Sequence, residues 1–124
     1  MGEDSPGDIS RGVFAAEVGM PRILKLFERF GLTQSWFIPG HTIESFPAQT
    51  DLVAKAGHEI GLHGYSHENP LALSRQQEEA ILARCIGLIE RHWGRRPIGY
   101  VAPWWEVSAT SIEILVERGI AYDH

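Results

Sequence analysis

Apolar positions along this chain alternate between helical stripes and short continuous runs. From Pro21, apolar side chains recur at the three- and four-residue spacing of one helix face, and the pattern stops at Gly31. Residues 35–39 follow as an aromatic and β-branched run, which predicts a β-strand. Proline suits the first turn of a helix and glycine its end, so the first unit is predicted as helix, glycine stop and strand.

The same order of helix, glycine and strand recurs three more times. A capping box, in which Ser74 is followed three residues later by Gln77, opens the longest predicted helix. Ser108 is predicted to cap the last helix, and residues 1–11, rich in glycine, aspartate and serine, are predicted as a loose lead-in. The later predicted helices end at Gly57, Gly94 and Gly119, and the predicted strands cover residues 35–39, 59–63, 98–102 and 120–122.

Four such units predict an α/β fold, with a parallel sheet of about four strands alternating with helices. The strands are short continuous apolar runs, which is typical of a sheet covered by helices. The chain is predicted to be a single domain over residues 1–124. Because parallel strands end at one edge of a sheet, the positions at the strand ends are expected along a common rim: His41, His63, His67, residues 103–106, Asp123 and His124.

Composition narrows the possible partners. The formal charge of −5 over 124 residues argues against a nucleic-acid partner, and no apolar run is long enough to cross a membrane. The only cysteine, Cys85, cannot form an internal disulfide and falls on an apolar helix face, so it is expected to be buried and inert. The lack of a charged-then-apolar leader favours a cytoplasmic location.

A pair of histidines stands out at the predicted end of the second strand. His63 and His67 are four residues apart, and two neutral imidazoles at that spacing can reach one metal ion, with zinc the expected metal. Ordinary polar residues after a strand are the alternative. A hydrolytic zinc site usually has three protein ligands, and His41 is the first candidate for the third. Weaker candidates are Asp123, His124 and the acidic residues Glu3, Asp4 and Asp8.

Two stretches carry a resemblance to a known family. Residues 57–67, Gly-His-Glu-Ile-Gly-Leu-His-Gly-Tyr-Ser-His, are similar to the His-(Ser/Thr)-x-x-His metal motif of the polysaccharide deacetylases, the NodB-homology family. Residues 99–104, Gly-Tyr-Val-Ala-Pro-Trp, resemble the Arg-x-Pro-Trp groove motif of that family. Together with residues 37–42 and 104–106, they look most like the branch containing peptidoglycan-deacetylase-like proteins and cyclic imide hydrolases.

The resemblance implies a partial (β/α)₇ barrel and several site residues. Tyr65 matches the position whose backbone amide contacts the oxyanion, and Pro103, Trp104 and Trp105 would line a cleft for a glycan or small-molecule substrate. Core packing is the alternative for at least one of the two tryptophans. The family's Asp-rich first strand and later motifs have no counterpart in this chain, and Val101 stands where many members carry an arginine.

Because the family's Asp-rich first strand has no counterpart, other residues become candidates for the general base, and a second chain becomes a candidate for completing the sheet. Glu106 and Glu68 are candidate general bases, with solvated or helix-capping carboxylates as the alternative. Half a barrel leaves an open sheet edge, which predicts completion by a homodimer; residues 1–11 covering that edge are the alternative. The predicted function is metal-dependent hydrolysis of an amide, imide or ester carbonyl by metal-activated water. A catalytically inert fragment or binding module, and a promiscuous metal-dependent esterase, are the alternatives.

Overall fold

A computed structural model describes residues 5–124 and contains one parallel sheet with the strand order β1-β2-β3-β4. Consecutive strands are neighbours, so each connection returns the chain beside the strand it has just left. The α/β fold predicted from the sequence is confirmed. The strands are β1 (Ser35–Ile38), β2 (Glu59–Leu62), β3 (Gly99–Tyr100) and β4 (Tyr122–Asp123).

Six α-helices are found among residues 5–124. A π-helical segment, Ala15–Gly19, joins the first two, and short 3₁₀ turns cover Pro70–Ala72 and Pro103–Trp105. No helix within residues 5–124 combines the length and the apolar character needed to cross a bilayer. The helices are α1 (Pro6–Phe14), α2 (Met20–Phe30), α3 (Gly40–Ser45), α4 (Pro47–Lys55), α5 (Arg75–Trp93) and α6 (Ser111–Glu117).

The predicted loose lead-in is wrong from Pro6 onward. Pro6 occupies the first turn of α1, and Arg11 Nη1 donates to Asp8 Oδ1 at 2.8 Å, one helical turn apart. The residues joining α1, the π-helical segment and α2 keep right-handed helical backbone angles, so the helix does not begin at Pro21. No residue of α1 is buried. The acidic candidates Glu3 and Asp4 lie outside the described residues.

The sequence predicted the N-cap of α5 correctly and the N-cap of α6 incorrectly. The Ser74 capping box is confirmed: its Oγ accepts from the Gln77 backbone N–H at 3.3 Å, and the Gln77 side chain accepts in return at 2.8 Å. Ser108 does not cap α6, because the N-cap position is Thr110. The Ser108 hydroxyl accepts from the Thr110 N–H at 3.2 Å and donates to the buried carboxylate of Glu78 at 2.8 Å.

The hydrophobic core lies between the sheet and the helices. Ile38 and Leu62 point into it from the strands, and Cys85 and Ile114 point into it from α5 and α6. On the opposite face of the sheet, the rings of Phe37 and Tyr122 meet edge to face at 6.3 Å.

That opposite face depends on two glycines. A Cβ on Gly61 would lie 2.6 Å from the Phe37 ring, and one on Gly99 would clash with the Tyr122 ring. The close approach of the rings therefore excludes larger residues at both positions. Strands β1 and β4 form the two edges, so the sheet among residues 5–124 is open.

Cys85 should react with thiol reagents only after unfolding. The side chain is 1% exposed, and burial raises its pKa to about 12. We expect an aromatic disulfide reagent to label the folded chain at pH 8 at least about 100-fold more slowly than the chain in denaturant, since thiolate and access are both lacking. Equal labelling rates in the two conditions would contradict the buried position.

Candidate metal and substrate site

The two histidines of the sequence motif lie together after β2. Their ring centroids are 4.8 Å apart, with an angle of 72° between the planes. The Nδ1 of His63 lies 2.8 Å from the carbonyl oxygen of Val101; in the tautomer that donates this hydrogen bond, Nε2 keeps its lone pair. Burial lowers the pKa of His63, and the nearby His67 lowers it further, so the neutral form that binds metals is favoured.

The backbone around this pair is unusual. His67, Trp104 and Trp105 have φ values of 63°, 63° and 53°, in the left-handed region that side chains other than glycine rarely adopt. They are the only such non-glycine residues within residues 5–124. Each costs on the order of 1–3 kcal/mol, and such residues cluster at functional sites. The Trp104 indole N–H donates to the carbonyl oxygen of His67 at 3.1 Å and links the two segments.

The loop between the histidines is held by backbone groups of α3. The N–H of Gly40 donates to the carbonyl of Gly64 at 3.0 Å, and the N–H of His41 donates to the carbonyl of Tyr65 at 2.8 Å. A Cβ on Gly40 would lie 2.8 Å from the Tyr65 ring and 2.9 Å from the Cys85 sulfur, so only glycine allows this approach.

Glu68 and the Tyr65 amide are bonded to each other. The Tyr65 N–H donates to Glu68 Oε1 at 2.8 Å, while the N–H and hydroxyl of Ser66 donate to Oε2 at 2.6 and 2.9 Å. Partial burial alone would raise the pKa of Glu68, but these hydrogen bonds bring it below its ordinary value. A general base needs a free carboxylate oxygen, and an oxyanion contact needs a free N–H. In this structure the Glu68 carboxylate and the Tyr65 N–H are hydrogen-bonded to each other, so neither is free for its predicted role.

The Tyr65 side chain is directed towards the helices. Its hydroxyl donates to Glu44 at 2.6 Å, and Arg84 donates to the Glu44 carboxylate at 2.9 Å while its guanidinium lies 3.7 Å from the centre of the Tyr65 ring. Sequence reasoning missed Glu44 and Arg84, because nothing in their local pattern distinguishes them from other exposed helix charges.

His41 is not brought into a three-ligand group with His63 and His67. It lies in the first turn of α3, a helix that the sequence did not predict; its Nδ1 is 3.5 Å from the Ser45 hydroxyl, and its ring is 6.0 Å from the Tyr65 ring. Within residues 5–124, no three His, Cys, Asp or Glu side chains are grouped closely enough to hold a metal. Asp8, Asp123 and His124 therefore do not complete the set either.

Trp104, in the segment after β3, lies beside His67, with 5.7 Å between the two ring centroids. Trp104 and Trp105 are 62% and 79% exposed, so core packing does not explain them. The prediction that Pro103 lines a cleft is wrong, because its side chain is fully buried. Its Cγ would lie 3.0 Å from a Cβ on Gly64, so Pro103 packs against the loop that carries the histidines.

Glu106 follows this segment and is held by a residue that sequence reasoning missed. Its Oε2 accepts from the Asn69 side-chain amide at 2.5 Å, while Asn69 Oδ1 accepts from the Leu71 N–H at 2.9 Å. The Asn-Pro pair directly after His67-Glu68 is the signal that could have indicated this capped turn.

The side chains at this site supply part of the ligand set that a divalent metal requires. Two imidazoles lie side by side, and His63 has the carbonyl partner that usually orients a metal-binding histidine. A hydrolytic zinc site usually has a third protein ligand, which the described residues do not supply. Within residues 5–124, the arrangement thus supplies two of the donors that such a site needs.

Comparison with known proteins gives a consistent result. A family model for polysaccharide deacetylase matches residues 8–122. The chain is 55% identical over 123 residues to a peptidoglycan deacetylase of Helicobacter pylori, covering 99% of this chain and 42% of that protein. It is 43% identical over 118 residues to a peptidoglycan deacetylase-like protein of Gibberella zeae, covering 94% of this chain and 35% of that protein.

A solved structure agrees with these relatives. A crystal structure described as a polysaccharide deacetylase from Mycobacterium smegmatis has a TM-score of 0.91 and 36% identity, covering 95% of this chain and 41% of that one. The chain thus spans less than half the length of each of these three proteins.

Proposed function

Because the chain belongs to the polysaccharide deacetylase family, we propose that it forms the histidine-bearing part of a metal-dependent deacetylase acting on an N-acetylated glycan. The observation that carries the proposal is the His63–His67 pair, with His63 oriented by the Val101 carbonyl and the exposed Trp104 indole beside His67. Metal-dependent hydrolysis of N-acetyl groups is general for this family.

Each residue has a role in this proposal. His63, through Nε2, and His67 hold a divalent metal, with zinc the expected ion. Such a metal supplies polarisation of the acetyl carbonyl and activation of water. Trp104 and Trp105 pack against the sugar rings, as exposed aromatic side chains do in binding clefts. Glu106, oriented by Asn69, accepts the proton of the attacking water.

The substrate is narrowed by the relatives. Two of them are named for peptidoglycan deacetylation, so we propose the acetamido groups of peptidoglycan sugars as the target. Water would cleave the amide C–N bond and release acetate, with the amine left on the sugar. Hydrolysis of an imide or an ester carbonyl, also expected from the sequence, stays a prediction. The cytoplasmic location expected from the sequence stays a prediction.

Acetate release tests this proposal. The 124-residue chain is incubated with zinc and either peptidoglycan fragments or an N-acetylglucosamine oligomer, and acetate is quantified with and without chelator. Acetate formation that stops on chelation and returns with added zinc supports the proposal. Metal-free turnover, or no turnover with zinc bound, contradicts it.

A binding module without turnover is the second candidate. It is favoured by the finding that no three-ligand group exists within residues 5–124. Calorimetry with the same oligomer separates the two functions. Saturable binding that depends on Trp105, without acetate release, would indicate the binding module.

We also propose that the chain is a homodimer. Strand β1 is an edge strand, and α1, which begins within the segment expected to cover that edge, buries none of its residues. A second copy would pair with the open edge and cover exposed apolar side chains such as Phe14 and Phe30. Light scattering at micromolar concentration should give the mass of two chains. A monomer mass that is unchanged on dilution would refute this prediction.

A further inference from the structure

We propose that Glu68 is a positioning residue that closes the turn between His63 and His67 and so keeps the two imidazoles side by side. The inference rests on the proposed function above, since it assigns Glu68 a part in building the metal site. In this proposal Glu68 does not act as a general base. Its carboxylate acts by accepting hydrogen bonds within the loop.

The geometry of the carboxylate carries the first step. Glu68 reaches back along its own chain, and its two oxygens accept three hydrogen bonds of 2.6–2.9 Å from Tyr65 and Ser66. These two donor residues are the ones that separate Gly64 from His67. Hydrogen bonds to an ionised carboxylate are stronger than neutral ones, so the bonds hold the turn at its centre.

The space for the carboxylate is built into the sequence. Gly64 has a φ of 66°, and a Cβ there would lie 2.9 Å from Glu68 Oε1. The loop therefore needs glycine both for its backbone angle and for the close approach of the carboxylate. The Cγ of Pro103 would lie 3.0 Å from the same Cβ, and Gly64, Glu68 and Pro103 line one small cavity.

The strained residue that follows carries the second step. His67 has a left-handed backbone, which persists only where neighbouring contacts hold it. The Glu68 carboxylate accepts from Ser66, directly before His67, and the Trp104 indole N–H donates to the His67 carbonyl at 3.1 Å. With the carboxylate removed, one of these two restraints is lost, and His67 can relax towards ordinary backbone angles. The ring would then move away from His63.

Zinc affinity tests the proposal in the full chain. Dissociation constants are measured by competition with a chromophoric chelator for the wild type, Glu68→Ala, Glu68→Gln and the control Glu90→Gln. Glu90 lies on α5, far along the chain from the loop, and its exposed carboxylate is bonded to Arg96. Glu90→Gln therefore makes the same chemical change as Glu68→Gln outside the loop. We expect Glu68→Ala to weaken zinc binding about 10–100-fold, which is the usual effect of losing a group that orients metal ligands. Glu68→Gln, which keeps one acceptor oxygen, should fall in between, and Glu90→Gln should match the wild type.

A metal-free measurement separates this inference from the proposed function. Nuclear Overhauser contacts between ring protons of His63 and His67 are recorded without metal, well below the melting temperature of each variant. We expect them in the wild type and in Glu90→Gln, and we expect their loss in Glu68→Ala. Zinc affinity of Glu68→Ala equal to that of the wild type overturns the proposal. If the wild type binds no zinc, the proposed function fails and the ring contacts decide alone: their loss in Glu68→Ala supports positioning, and their persistence overturns it.

Discussion

The His63→Ala His67→Ala double variant is expected to lose zinc binding and zinc-dependent acetate release by a factor of about 100 or more. The two rings lie 4.8 Å apart and are the imidazoles that the fold brings together at the end of β2. Each is at least partly exposed and neither lies in the hydrophobic core, so the helical content should stay close to that of the wild type. Circular dichroism and zinc titration of the same samples check both statements.

Two further histidines sharpen this test. His92→Ala is the matched control, because His92 is exposed near the end of α5 and its ring packs beside Trp93. It should bind zinc as the wild type does. His41→Ala decides the third ligand: unchanged affinity agrees with its position beside Ser45 and Tyr65, whereas a large loss would show that His41 joins the site when metal is present. Full zinc-dependent activity in the double variant would contradict the proposed function.

Glu78→Ala is expected to lower the free energy of unfolding by about 3 kcal/mol. Glu78 is 3% exposed, and its carboxylate accepts from the hydroxyls of Ser111 and Ser108 at 2.5 and 2.8 Å. The change removes the acceptor at the start of α6 and leaves the buried Ser111 hydroxyl without its charged partner. A small cavity adds to the loss. Urea unfolding followed by circular dichroism gives the difference.

The adjacent residue supplies the control for this prediction. Glu79 bonds Arg75 at 2.7 Å, and both side chains are about one-third exposed to solvent. Exposed pairs of this kind contribute at most about 1 kcal/mol, so Glu79→Ala should have a small effect. Glu78→Gln keeps an acceptor for one hydroxyl and should lie between the two. Equal losses for Glu78→Ala and Glu79→Ala would show that the buried carboxylate does not stabilise α6.

The architecture was predictable because local signals agree with one another along the chain. Glycine stops, the Ser74 capping box and short apolar runs are properties of neighbouring residues, and they survive tertiary packing. The His63–His67 pair was predictable for the same reason, since four residues of spacing after a strand put the two rings within reach of each other. Contacts made by Glu68 and Trp104 then hold the rings side by side. The errors at the first helix and at Ser108 arose where polar residues suit both loops and helix ends.

The sequence by itself determined the order of elements, the parallel sheet and the two histidines, since each depends on short-range periodicity or spacing. Tertiary structure alone decided what the neighbouring groups do. The Asn69 amide donates to the Glu106 carboxylate, the Trp104 indole N–H donates to the His67 carbonyl, and the Val101 carbonyl, at the end of β3, orients His63. A carboxylate or an imidazole takes its role from the donor or acceptor that packing places within about 3 Å of it, and such partners lie up to 38 positions away in the chain.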